Sequence, residues 1–127
     1  MSHFTRIKTQ LVEREFLLKA LHDLDCTYEV GDDLKISGFG QQRTQAEIKV
    51  RIPRLSREVG FRKSGETYEM VADFWGQRFN RQEFQNRLMQ RYAYHTAIAR
   101  LQDQGFDLVT EETQKDGQLH LTLRRAV

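Results

Sequence analysis

A chain of 127 residues is the size of one ordinary domain, long enough to bury a core without disulfides or a structural metal. Its 20 Lys and Arg against 18 Asp and Glu leave a net charge of +2, which excludes a whole-molecule field strong enough to mark a polyanion binder. With 39% hydrophobic and 30% charged residues the composition is that of a globular protein in water, and the single cysteine, Cys26, cannot close an internal disulfide. A reducing, cytoplasmic setting without a leader or membrane segment is therefore expected.

In chain order, the β-branched and aromatic residues from Ser2 to Leu11 predict a strand, with His3, Thr5, Ile7 and Thr9 on one face. The period changes from Glu13 to Asp25, where Phe16, Leu17, Ala20, Leu21 and Leu24 make the apolar stripe of an amphipathic helix. Tyr28–Val30 and Leu34–Ile36 read as strand pieces around Gly31-Asp32-Asp33, which either closes a hairpin or kinks one strand. After a Ser37-Gly38-Phe39-Gly40 loop, Gln45–Ile52 alternates cleanly, with Ala46, Ile48, Val50 and Ile52 on one face, and Pro53 ends it. Glu58–Lys63 and Thr67–Phe74 predict a hairpin around Ser64-Gly65-Glu66. Phe106–Thr110 and Gln118–Arg124 predict a second, around Lys115-Asp116-Gly117.

Between the hairpins lies the longest run of one helical period, Asn80–Gln104. Asn80 with Glu83 makes a capping-box pattern, Phe79 can staple onto Phe84, and Gly105 stops the helix. Phe84, Leu88, Tyr92, His95, Ile98, Ala99 and Leu101 share one flank. The order β-α-β-β-β-β-α-β-β predicts an α+β fold of a single domain over residues 1–127: one twisted, mainly antiparallel sheet with both helices on one face. A strand, helix and hairpin in each half also fit an imperfect duplication of a βαββ unit.

Arg91 and His95 fall within the apolar flank, one turn apart, beside Tyr92 and Tyr94. A desolvated guanidinium needs an acceptor, and Asp73, Glu69 and Glu112 are the candidates. The pair is either a salt-bridged, carbonyl-bonded structural feature or the floor of an anion- or partner-binding cleft. In Asp73-Phe74-Trp75-Gly76 the tryptophan is either an aromatic ledge at the sheet rim or, as its usual burial favours, a core plug. Arg54, Arg57, Arg62 and Lys63 around Phe61 form a basic cluster that could hold single-stranded nucleic acid, although Glu58 and Glu66 dilute it and a solvated face is the expectation. His3, His22, His95, His120 and Cys26 are too scattered for a metal site, Cys26 has no neighbouring base, and Gly38 and Gly40 lack the lysine of a phosphate loop. No cofactor is expected.

The opening Met1-Ser2-His3-Phe4-Thr5-Arg6-Ile7-Lys8-Thr9-Gln10, the run Gln90-Arg91-Tyr92-Ala93-Tyr94-His95-Thr96, Gln104-Gly105-Phe106 and the closing Asp116-Gly117 hairpin with Arg124-Arg125 resemble a family of small hypothetical proteins encoded in algal plastid genomes and in cyanobacteria. Lys35-Ile36-Ser37-Gly38-Phe39 departs from the Val-Arg-Gly-Tyr-like segment usual there, and Ala126-Val127 replaces a terminal aromatic. The resemblance implies a housekeeping or assembly component of a photosynthetic setting, placed in the stroma where it is plastid-encoded, and it carries no catalytic residue to transfer. The expectation is a non-enzymatic module that binds a protein partner. Its rivals are a small-molecule or anion-binding protein, which could include an enzyme, with a pocket between long helix and sheet, and a weak nucleic-acid binder.

Overall fold

The computed structural model describes residues 4–125; His3, the start of the predicted first strand and Ala126-Val127 lie outside them. The elements follow the expected order: β1 (Thr5–Lys8), α1 (Arg14–Asp23), β2 (Thr27–Ser37), β3 (Arg43–Arg51), β4 (Val59–Ser64), β5 (Thr67–Ala72), α2 (Arg81–Asp103), β6 (Phe106–Thr113) and β7 (Leu119–Arg125). The α+β class holds, with one correction: the strands form two sheets, not one. Five pair antiparallel in the order β1-β5-β4-β3-β2, whereas β6 and β7 pair only with each other. The chain divides into two compact units whose boundary falls inside α2, between Tyr92 and Ala93.

In the first unit, Leu17, Ala20 and Leu21 of α1 and Phe84 and Leu88 of α2 share one core with Ile48, Val50, Phe61, Tyr68 and Met70. Both helices thus cover the same sheet face, as expected. Phe61 and Tyr68 are buried almost completely, each contributing roughly 1.5–3 kcal/mol of transfer free energy. Burial in α2 stops at Leu88, so the expected flank from Phe84 to Leu101 is buried only at its start.

Side chains alternate across a strand, so Val71, between the core residues Met70 and Ala72, points to the opposite face. There it joins Ile36, Ala46 and the half-buried Phe4 in a second, smaller cluster. Gly60 approaches this cluster, and a Cβ built on it would lie 2.7 Å from that of Ala46. The Gly31-Asp32-Asp33 segment does not close a hairpin. It is a bulge in one continuous strand, across which the pairing shifts between Val30 and Leu34. Gly65 does turn the β4–β5 hairpin, with φ of 70°.

The long helix begins as its sequence dictates. Asn80 accepts the Glu83 N–H at 3.0 Å, and the Phe79 ring lies 5.6 Å from that of Phe84. Gly105, with φ of 90°, ends it.

In the second unit, β6 and β7 form a hairpin turned by Gly117 with φ of 87°. Tyr94 donates its hydroxyl to Glu111 at 3.0 Å, and the His95 ring stands edge-on to that of Tyr94.

Candidate functional site

The last residues of β5 and the Gly38 loop meet at one end of the five-stranded sheet, around Asp73. The Asp73 carboxylate is fully buried. One oxygen accepts the Phe39 N–H at 2.8 Å; the other accepts the Trp75 N–H at 3.0 Å and lies 3.6 Å from the Arg57 guanidinium. Arg57 donates onward to the carbonyls of Asp73 at 3.3 Å and Trp75 at 2.7 Å. A buried carboxylate stays charged only where hydrogen bonds and an opposite charge replace its water, and this one has both. Gly38 is needed for the close approach, since a Cβ there would meet Phe4 at 2.8 Å and Asp73 at 3.1 Å.

Two aromatic side chains project from this node. Phe39 is 47% exposed and Trp75 50% exposed, with ring centroids 4.5 Å apart in edge-on geometry. The Arg57 guanidinium lies 5.6 Å from the Phe39 centroid, backing that ring with a cation–π contact. The expectation that Trp75 plugs the core is thereby corrected. Phe74 takes the interior position, stacked on Phe79 at 5.6 Å, and Asp73 binds the Trp75 amide so that the chain turns its next side chain outward. Sequence reasoning missed Phe39, because only the pairing of β2 with β3 and the reach of Asp73, 34 positions along the chain, bring it to the tryptophan.

The other predicted residues separate. Arg91 donates to Asp23 at 2.8 Å and ties α2 to α1, a partner not among the sequence candidates Asp73, Glu69 and Glu112. Tyr92 belongs to the same joint. Its hydroxyl accepts the N–H groups of Val12 at 3.1 Å and Glu13 at 3.0 Å, supplying at the entrance of α1 the cap that Glu13 does not provide. Tyr94 and His95 lie in the second unit.

The basic cluster is dispersed as well. Arg57 is committed to Asp73, Arg62 to Glu69 at 2.6 Å, and Lys63 to the Val12 and Glu66 carbonyls over the Tyr68 ring, while Phe61 is too buried to stack on a base. Arg54 alone remains, and the fold gives it new company. It lines a cleft of about 460 Å³ with Arg78 and Arg87, together with Asp25, Asn80, Glu83 and the apolar walls Ile52, Phe79 and Phe84. A second groove, of about 200 Å³ between β1 and the start of α2, is lined by Thr9, Leu11, Met70, Gln82 and Gln85; neither Arg91 nor His95 borders it. Among the described residues no group of His, Cys, Asp and Glu is arranged to hold a metal, and no helix is long and apolar enough to cross a membrane.

The ledge and its clamp come from segments inside the region that a family model matches, residues 20–122, described as a protein of unknown function (DUF1257). The chain belongs to this family. It is similar along 98% of its length to proteins named uncharacterized protein ycf35: 38% identical to that of Guillardia theta and 32% to those of Cyanophora paradoxa and Pyropia yezoensis, covering 98% of each. The resemblance to a plastid and cyanobacterial family of unknown function is thus confirmed. No solved structure matches the chain.

Proposed function

We propose that this member of the family is a non-enzymatic binding module that docks a protein partner through the ledge of Phe39 and Trp75, in the cytoplasm or, in a plastid, the stroma. One observation carries the reading: two large aromatic rings stand half in water while their backbone amides are anchored to a buried, ion-paired carboxylate. Aromatic and arginine side chains are the residue types that dominate binding energy at interfaces, and holding them rigid beforehand lowers the ordering cost of association. For the small-molecule or anion-binding rival, the groove beside β1 holds about 200 Å³, below the roughly 300 Å³ at which ligand pockets usually begin, whereas the arginine-lined cleft of about 460 Å³ exceeds it.

The test is affinity purification from a native extract with the wild-type chain, Trp75→Ala and Phe39→Ala, each checked by thermal melting. A partner retained by the wild type and lost from both variants at unchanged melting temperature supports the reading. Equal retention by all three removes the ledge as the docking surface.

A further inference from the structure

The arginine cleft and the ledge are joined. Residues 53–57 and 74–79 run side by side, tied where Ser56 donates to the Gln77 side chain at 3.1 Å and Arg57 to the Trp75 carbonyl at 2.7 Å. Arg54 and Arg78 continue these two segments into the cleft, where Arg87 meets them from the next turns of α2. Arg81, the residue after Asn80, holds its guanidinium 5.2 Å from the Phe74 ring and does not line the cleft. Among the described residues Arg54, Arg78 and Arg87 make no ion pair, unlike Arg57, Arg62 and Arg91. Three arginines outnumber the two carboxylates of Asp25 and Glu83 at this cleft, and none of the three is spent on an ion pair among the described residues.

We infer that this cleft takes an acidic segment of a protein, its carboxylates paired with Arg54, Arg78 and Arg87 and its continuation lying across Phe39 and Trp75. The inference rests on the partner-binding reading of the ledge and gives the partner its chemistry. Guanidinium offers a planar fork that matches a carboxylate with two parallel hydrogen bonds. A polyphosphate is disfavoured at the same place, because Asp25 and Glu83 stand among the arginines and would oppose phosphates fixed in a rigid backbone spacing. Glutamate carboxylates end flexible side chains and can turn away from them. Apolar walls from Ile52, Phe79 and Phe84 give the aliphatic part of such a segment somewhere to pack.

The full chain is titrated into fluorescein-labelled hexaglutamate at low ionic strength and followed by fluorescence anisotropy, with hexalysine and an oligothymidylate of equal charge in parallel. Arg78→Ala with Arg87→Ala is the test variant and Lys115→Ala, on the β6–β7 turn and outside the cleft lining, the control. The expected result is saturable binding of hexaglutamate, weakened about tenfold by the double variant and about tenfold in physiological salt, with the control unchanged and the oligothymidylate weaker. Absence of hexaglutamate binding, or binding that the double variant leaves intact, overturns the inference. Oligothymidylate binding as tightly as hexaglutamate overturns it too, in favour of a general polyanion site. The probe carries no aromatic residue, so failure here leaves the test on Trp75 and Phe39 untouched, and failure there leaves this one.

Discussion

Asp73 and Phe39, 34 residues apart, are joined by a 2.8 Å hydrogen bond from the Phe39 amide to a carboxylate that water does not reach. The same carboxylate holds the Trp75 amide and neighbours Arg57, so one side chain positions both aromatic rings and one cation.

Asp73→Ala removes the acceptor of two amides and leaves Arg57 without its carboxylate. The expected loss is about 3–5 kcal/mol in urea unfolding, the range for breaking a buried pair by deleting one partner. Asp73→Asn keeps one oxygen and loses the charge, so it is expected to cost less than Asp73→Ala. If the two variants unfold alike, the charge and not the hydrogen bonds governs the node.

Trp75→Ala acts on a half-exposed ring and is expected to cost under about 1 kcal/mol. Trp75 is the only tryptophan of the chain, so intrinsic fluorescence reports this ledge alone. Emission typical of hydrated indole in the free protein, shifted to the blue by a bound partner, is the expected observation.

Tyr92→Phe deletes only the hydroxyl that accepts the Val12 and Glu13 amides. A loss of about 1 kcal/mol, as for a helix cap, is expected, with faster hydrogen exchange confined to residues 12 and 13. Arg91→Met, cutting the partly exposed bridge to Asp23, is expected to cost no more than about 1 kcal/mol.

Gly60→Ala places a methyl group 2.7 Å from the Ala46 Cβ, and overpacking of this kind costs about 1–3 kcal/mol. Ala46→Gly in the same molecule should recover part of that loss. A double variant no better than the sum of the two singles would show that backbone strain, not this contact, sets the cost.

Burial, with Asp25 nearby, pushes the Cys26 thiol up to about 11, against a reference of 9.0, while Arg87 acts in the opposite sense. The folded state therefore holds the thiol proton more tightly than the unfolded chain. The associated stability is fully present below about pH 9 and is lost as pH rises towards 11. Cys26→Ala should show a flatter decline over that window in chemical unfolding. Alkylation of native Cys26 at pH 8 should be slow.

Elements whose signal is local were legible in the sequence. The Gln45–Ile52 alternation and the Asn80–Glu83 cap each depend on neighbours within a few residues; the cap stands where the pattern places it, and the alternation holds for Ile48, Val50 and Ile52, while Ala46 packs instead with Ile36 and Val71. Side chains whose fate depends on distant chain were not. Arg91 finds Asp23 from another helix, and Arg57 and Arg62 leave a sequence cluster for separate carboxylates. Arg54, Arg78 and Arg87 gather from three places with no shared period. Trp75 was misplaced because average burial says nothing about a backbone turned by its own neighbour's carboxylate.

β2, eleven residues long, forms one border of the five-stranded sheet, and a strand of that length invites self-association into fibrils. Its bulge breaks the template in the middle. Asp32 and Asp33 put two negative charges on the kink, and Gln45 fastens Asp33 to the neighbouring strand at 2.6 Å. An incoming strand could match either half of this border but not both, an arrangement that disfavours edge-to-edge pairing along it.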